Sequence, residues 1–96
     1  MLHEFLTNLG CYKRGDLFIL DGFSSDFYLI FDTSYDPETP ESLNTCDILV
    51  QSVGVHPKES KSIVSNANTY DIVKFLRALG LDRFPKKTYN FVRTLN

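Results

Sequence analysis

The sequence predicts an α+β fold: one small domain over residues 1–96, built as an antiparallel sheet or small open barrel of three to five strands with two packed helices. Three observations lead there. Two segments, one near each end, repeat apolar residues at helical spacing and close on a glycine. Between them lie short apolar runs rich in β-branched and aromatic residues, bounded by turn formers. Apolar residues make up 43% of the 96-residue chain, and eight Phe with five Tyr supply the bulk that a short chain needs for a core.

The first helix is written by Leu2, Phe5, Leu6 and Leu9, at i, i+3, i+4 and i+7, with His3, Glu4, Thr7 and Asn8 turned outward. Gly10 follows and suits a left-handed closing residue. Two turns are marginal alone, so this helix must pack on something. Leu17-Phe18-Ile19-Leu20 and Phe27-Tyr28-Leu29-Ile30-Phe31 then read as strands covered on both faces, because neither alternates with polar residues. The short link Asp21–Asp26 makes them a hairpin.

Residues 34–45 hold two prolines and three acids and read as an exposed loop. Asp47 to Val55 is a third strand, with Ile48 and Val50 on one side and Leu49, Gln51, Val53 and Val55 on the other. Lys61 to Ser65 is a short fourth strand. Asn68 caps the second helix with Asp71 three residues on, and Ile72, Phe75, Leu76 and Leu79 form its buried stripe ahead of Gly80. The tail 88–95 reads as a strand on its β-branched and aromatic content, although Tyr89/Val92 and Phe91/Leu95 also suit a helix.

Tyr12 through Leu20 resembles the opening strand of the MazF/PemK ribonuclease toxins and of many SH3-like barrels, which begin with a basic residue, Gly-Asp and an apolar run. The resemblance covers about nine residues and implies only a small barrel; no active residues are carried over. Within it, Arg14-Gly15-Asp16 is read as a turn and not as an integrin ligand.

The chemistry-bearing residues are sparse. Cys11 and Cys46 lack metal-ligand or redox spacing, and two cysteines are fewer than a stapled secreted domain carries. Cys46, Asp47 and His56 lie in one stretch, but nothing in their spacing enforces a nucleophile–base contact. His3 and His56 are isolated and no calcium or phosphate-loop pattern occurs. No catalytic, cofactor or metal site is predicted. With no leader at the start and no apolar run near about 20 residues, the expectation is a cytoplasmic protein with reduced thiols and no membrane contact.

Charge is the strongest functional signal. Gly15 to His56 carries eight acids and no Lys or Arg, whereas Pro57 to Asn96 carries eight bases against three acids, within a net charge of −2. Such asymmetry points to an electrostatic partner. The leading expectation is a small non-enzymatic regulatory protein, inhibitor-like and of the sort phages and mobile elements encode. It would bind a basic protein through an acidic surface, as a nucleic-acid mimic does. Asp26, Asp32, Asp36, Glu38 and Glu41 would carry the charge, with Tyr35 as the aromatic anchor. The plainer reading is that these acids flank strands, where turns recruit Asp for local hydrogen bonds.

The alternative is an RNA- or DNA-binding domain using Lys74, Arg77, Arg83, Lys86, Lys87 and Arg93, with Phe84, Tyr89 and Phe91 as stacking surfaces. Against it, a short chain needs those aromatics for its core. A hydrolase whose acids converge is a third reading, and self-association through opposite charges a fourth.

Overall fold

The computed structural model describes residues 1–34, 44–54 and 61–95. The order is α1 (Leu2–Leu9), β1 (Tyr12–Arg14), β2 (Leu17–Leu20), β3 (Phe27–Asp32), β4 (Cys46–Ser52), β5 (Lys61–Ala67), α2 (Thr69–Leu79), a 3₁₀ turn (Leu81–Arg83) and α3 (Lys86–Thr94). All five strands are antiparallel, each paired with its sequence neighbours in the order β1-β2-β3-β4-β5. The sheet is therefore an open meander and not a barrel, since β1 and β5 are its two edges.

The stretch resembling a toxin's opening strand is in fact a hairpin. Arg14 pairs with Leu17, and the two-residue turn has Gly15 at φ +59° while Asp16 keeps a negative φ. That is the glycine-first turn whose twist matches the flanking strands.

α1 closes as its glycine promised. Gly10, at φ +111°, donates to the Thr7 carbonyl and the Cys11 N–H reaches Leu6, the paired bonds of a Schellman ending. α2 opens on a complete capping box: Asp71 N–H donates to Asn68 Oδ1 at 2.9 Å and Asn68 N–H to Asp71 Oδ2 at 3.0 Å.

The tail corrects the strand reading, giving three α-helices among the described residues instead of two. In α3, Thr88 and Val92 fall one turn apart and are buried, and Phe91 meets Phe5 edge-on at 5.4 Å. Thr88 Oγ donates to the Leu9 carbonyl at 2.8 Å, so this helix also closes the end of α1. Packing of that apolar stripe outweighs the weak helix propensity of Thr, Tyr, Phe and Val.

One cluster joins all layers. Leu2, Leu6 and Leu9 of α1, Ile72, Val73 and Leu76 of α2 and Val92 of α3 pack with Phe18, Leu20, Leu29, Phe31, Cys46, Ile48 and Ala67 of the sheet. Alternation along each strand places those sheet residues on one face, so all three helices cover the same side. The expectation that β2 and β3 are hidden on both faces agrees with Ile19 and Ile30, which are 7% and 8% exposed on the side away from the helices.

Candidate functional site

The face opposite the helices is built by the residues that alternate with the core. Register sets them in rows across the strands. Arg14, Leu17, Asp32 and Asp47 form one row. Tyr12, Ile19, Ile30, Leu49 and Ser62 form the next. Tyr28 stands opposite Gln51. Beyond them the ladder continues, because Val53 N–H donates to the Asp26 carbonyl at 2.8 Å, which sets Asp26 opposite Val53.

The middle of this face is apolar. Ile19 and Ile30 are buried, at 7% and 8% exposure, whereas Tyr12 at the β1 edge is 44% exposed and Val53 55%. Carboxylates stand at both ends of the strands, Asp32 with Asp47 at one and Asp26 at the other. Asp21, directly after β2, and Asp16, in the first hairpin turn, are exposed as well.

Asp32 and Asp47 are direct neighbours on adjacent strands, roughly 4.5–5.5 Å apart at Cα, an arrangement that costs stability for like charges. Each has a local tether. Asp32 Oδ1 accepts from Ser34 N–H at 2.9 Å and from Ser34 Oγ at 2.5 Å. Asp47 Oδ1 accepts from Asn66 N–H at 3.0 Å, a donor displaced by the irregular β4–β5 pairing. Asn66 itself takes φ +54°, a conformation asparagine tolerates better than most residues.

These bonds fix the carboxylates without neutralising them. Among the described residues the one ion pair joins the Met1 amino group to Glu4 at 3.9 Å. Their charge is felt across the strand: the Cys46 thiol is pushed up to about 12 by burial first, then by Asp47 and Asp32. Burial, with Cys46 second, raises Cys11 likewise to about 12. Both thiols are free. Protonated and mostly enclosed, they are poor nucleophiles near neutrality.

Of the residues assigned to the acidic surface, Asp26 and Asp32 lie on this face. Tyr35, Asp36, Glu38 and Glu41 lie outside the described residues, as does His56. Sequence reasoning missed Asp47 and the apolar middle. The spacing of Asp26, Tyr28, Ile30 and Asp32 at steps of two was the available signal, because period two puts all four on one side of a strand.

The cations belong to the helical layer and divide among separate tasks. Lys74 Nζ stands over the Tyr70 ring at 5.2 Å, and the Arg93 guanidinium over Tyr89 at 6.0 Å. Arg77 donates to the Val92 and Leu95 carbonyls, closing the end of α3. Arg83 in the 3₁₀ turn and Lys86 and Lys87 in the first turn of α3 are exposed. The aromatics beside them are largely spent on packing: Phe84 stacks on Phe23 at 4.7 Å and Phe91 meets Phe5. Among the described residues no three His, Cys, Asp or Glu side chains gather as metal ligands. No described helix is long and apolar enough to cross a membrane.

Over the described residues this is an α+β protein with three α-helices on one side of an antiparallel sheet, whose other side carries carboxylates at both ends of its strands. Compared with known proteins, the chain matches no family model, no curated protein and no solved structure.

Proposed function

We propose that this is a small non-enzymatic interaction protein that captures a basic protein surface on the face of its sheet opposite the helices, in a cytoplasmic setting where both thiols stay reduced. One observation carries the reading. Asp32 and Asp47 are held side by side on the face opposite the helices, next to an apolar middle and without a lysine or arginine in ion-pair contact among the described residues. Like charges set opposite each other lower stability. A fold that keeps such a like-charged pair without an internal counter-charge among the described residues has the features of a site completed by a cationic partner.

Regulation by occupying the partner's basic surface follows from this, and mimicry of nucleic acid takes a restricted form. The described carboxylates stand at two ends of an apolar zone, so the matching surface is basic at two places and apolar between them. The nucleic-acid alternative is less well supported. Carboxylates at both ends of the sheet face disfavour a phosphate backbone there, although Arg14 shares a row with Asp32 and Asp47, and on the helical layer Phe84 is buried and Phe91 packs on Phe5.

The test is affinity capture from the native cell, followed by a salt series. Proteins with basic surfaces should be retained by the unaltered protein and by Lys86→Glu/Lys87→Glu. Retention should be lost with Asp26→Asn/Asp32→Asn/Asp47→Asn, whose amides keep the local acceptors but not the charge. Nucleic-acid retention abolished by the lysine changes would reverse the assignment.

A further inference from the structure

We propose that the groove where α1, α2 and the end of α3 meet is a binding site for a small aromatic carboxylate. It lies in the helical layer and does not depend on Asp32 and Asp47. Phe5 of α1, Val73 of α2 and Leu95 just after α3 line a hollow of about 310 Å³. Val73 is buried and Phe5 and Leu95 are half-buried, so the lining is largely apolar, while Tyr70, 63% exposed, stands at the rim. Ligand sites begin at about 300 Å³. Against a share of about 30 Å³ per liquid water, the hollow has room for a body of about a dozen non-hydrogen atoms.

Two cations border this lining, and their sign selects the ligand. Lys74 and Arg77 stand at i and i+3 on α2, so they are like-charged neighbours on one helix face. Among the described residues no acid lines the groove, and neither cation has a carboxylate in ion-pair range. Arg77 is also held in place: its Nη2 donates to the Val92 carbonyl at 3.2 Å and to the Leu95 carbonyl. Nε and Nη1 are left to donate to a ligand. A guanidinium already anchored loses little further freedom when it receives a carboxylate. Lys74 Nζ, over the Tyr70 ring at 5.2 Å, sets the second charge beside an aromatic face. A ring resting against Tyr70 and Phe5 gains offset or edge-on contact while its carboxylate meets Arg77 and Lys74. A bare anion would leave the apolar lining unfilled, and a neutral ring would leave both cations without a counter-charge.

The probe is 2-naphthoate, titrated into the isotopically labelled full chain and followed by amide chemical shifts. Its controls are 2-naphthamide, which keeps the shape without the charge, acetate, which keeps the charge without the rings, and adenosine monophosphate. Naphthoate should shift Phe5, Tyr70, Val73 and Lys74 saturably and leave Ile19 and Ile30 unmoved. The amide should bind about ten- to a hundredfold more weakly, the range for hydrogen bonds to a charged group. Acetate should bind too weakly to saturate. Because Arg77 also closes α3, Lys74→Gln is the variant that separates binding from folding. It should weaken naphthoate severalfold with thermal unfolding unchanged.

Naphthamide binding as tightly as naphthoate would reduce the groove to an apolar patch, and acetate binding as tightly would reduce it to surface charge. Either result overturns the inference, as does an absence of saturable shifts at millimolar naphthoate or binding indifferent to Lys74→Gln. Tighter binding of adenosine monophosphate at the same residues would overturn the carboxylate and give the groove to a phosphate-bearing ligand. None of these outcomes bears on Asp32 and Asp47, so the two sites stand or fall separately.

Discussion

The two faces of this sheet come from the same strands and have different chemistry. β2 gives Phe18 and Leu20 to the helices and Ile19 to the opposite side; β3 gives Leu29 and Phe31 to one and Tyr28 and Ile30 to the other. Read as a string, both strands are uniformly apolar. Only the neighbours separate the faces. On the helical side the apolar residues join one continuous cluster, with Lys13 and His3 only at the edge against Phe18, whereas on the other side they end in carboxylates. A fully apolar strand thus states that both faces avoid water, not that the chain itself supplies both covers.

Core substitutions test this contrast most severely. Phe31→Ala should cost about 3–5 kcal/mol, because a fully buried ring in the central cluster leaves a cavity. Ile30→Ala, one residue along and on the opposite face, should cost less, because Ile30, though only 8% exposed, lies outside the main apolar cluster. Chemical denaturation of the two variants measures both losses. Equal losses would mean that Ile30 is packed as a core residue and would remove this face as a binding surface.

The thiols sharpen the same comparison at alkaline pH. Burial raises Cys11 and Cys46 from 9.0 to about 12, with a further push on Cys46 from Asp47 and Asp32. Below pH 9 the thiols are protonated in folded and unfolded chains alike, and their stabilising contribution is fully present. Between 9 and about 12 the unfolded chain releases protons that the folded chain holds, so stability falls as pH rises. Stability curves of Cys11→Ala and Cys46→Ala should slope less steeply over that window than the unaltered protein's. Iodoacetamide should modify the native thiols slowly at pH 8 and readily once the chain is unfolded. Identical slopes for all three proteins would refute the burial argument.

The two later helices differ in how they end, and that difference governs how legible they were. α2 carries its instructions locally: Asn68 and Asp71 for the start, a four-residue stripe, Gly80 for the stop. α3 opens after Pro85 with Lys86 and Lys87, no side-chain cap and no acid in its first turn. Its partners are distant: Phe5 and Leu9 of α1, and Arg77 of α2. Propensity and caps are local, so the sequence announced α2, while α3 depends on contacts across some eighty positions of chain. β1 was missed for a related reason, because three exposed residues carry no apolar pattern and become a strand only by pairing with β2. Asp47 likewise became part of the site through register with Asp32.

Single changes at these ends should cost less than cavities do. Thr88→Val leaves the Leu9 carbonyl without its donor in a buried place and should lower stability by about 1–3 kcal/mol. Asn68→Ala removes one half of the capping box and should cost about 1 kcal/mol. Thermal unfolding compares the two. A larger loss for Asn68→Ala would show that the local cap matters more than the long-range bond and would invert the ranking of α2 and α3.

The smallest expected change in stability belongs to the face opposite the helices, and there its sign matters more than its size. Asp32→Asn keeps an acceptor for the Ser34 donors and removes one of two adjacent negative charges. It should leave the protein unchanged or more stable by a few tenths of a kcal/mol, the scale of a like-charge cross-strand pair. A charge retained only to hold the turn would behave otherwise, since weakening an anionic acceptor lowers stability. Binding of a cationic partner should move the opposite way and weaken, with a shallower salt dependence because one fewer charge is screened. Opposite movements of stability and binding in one variant are the signature of a group kept for function at a cost to the fold. Parallel losses would return Asp32 to the role of a turn residue, and the face would lose its strongest claim to a partner.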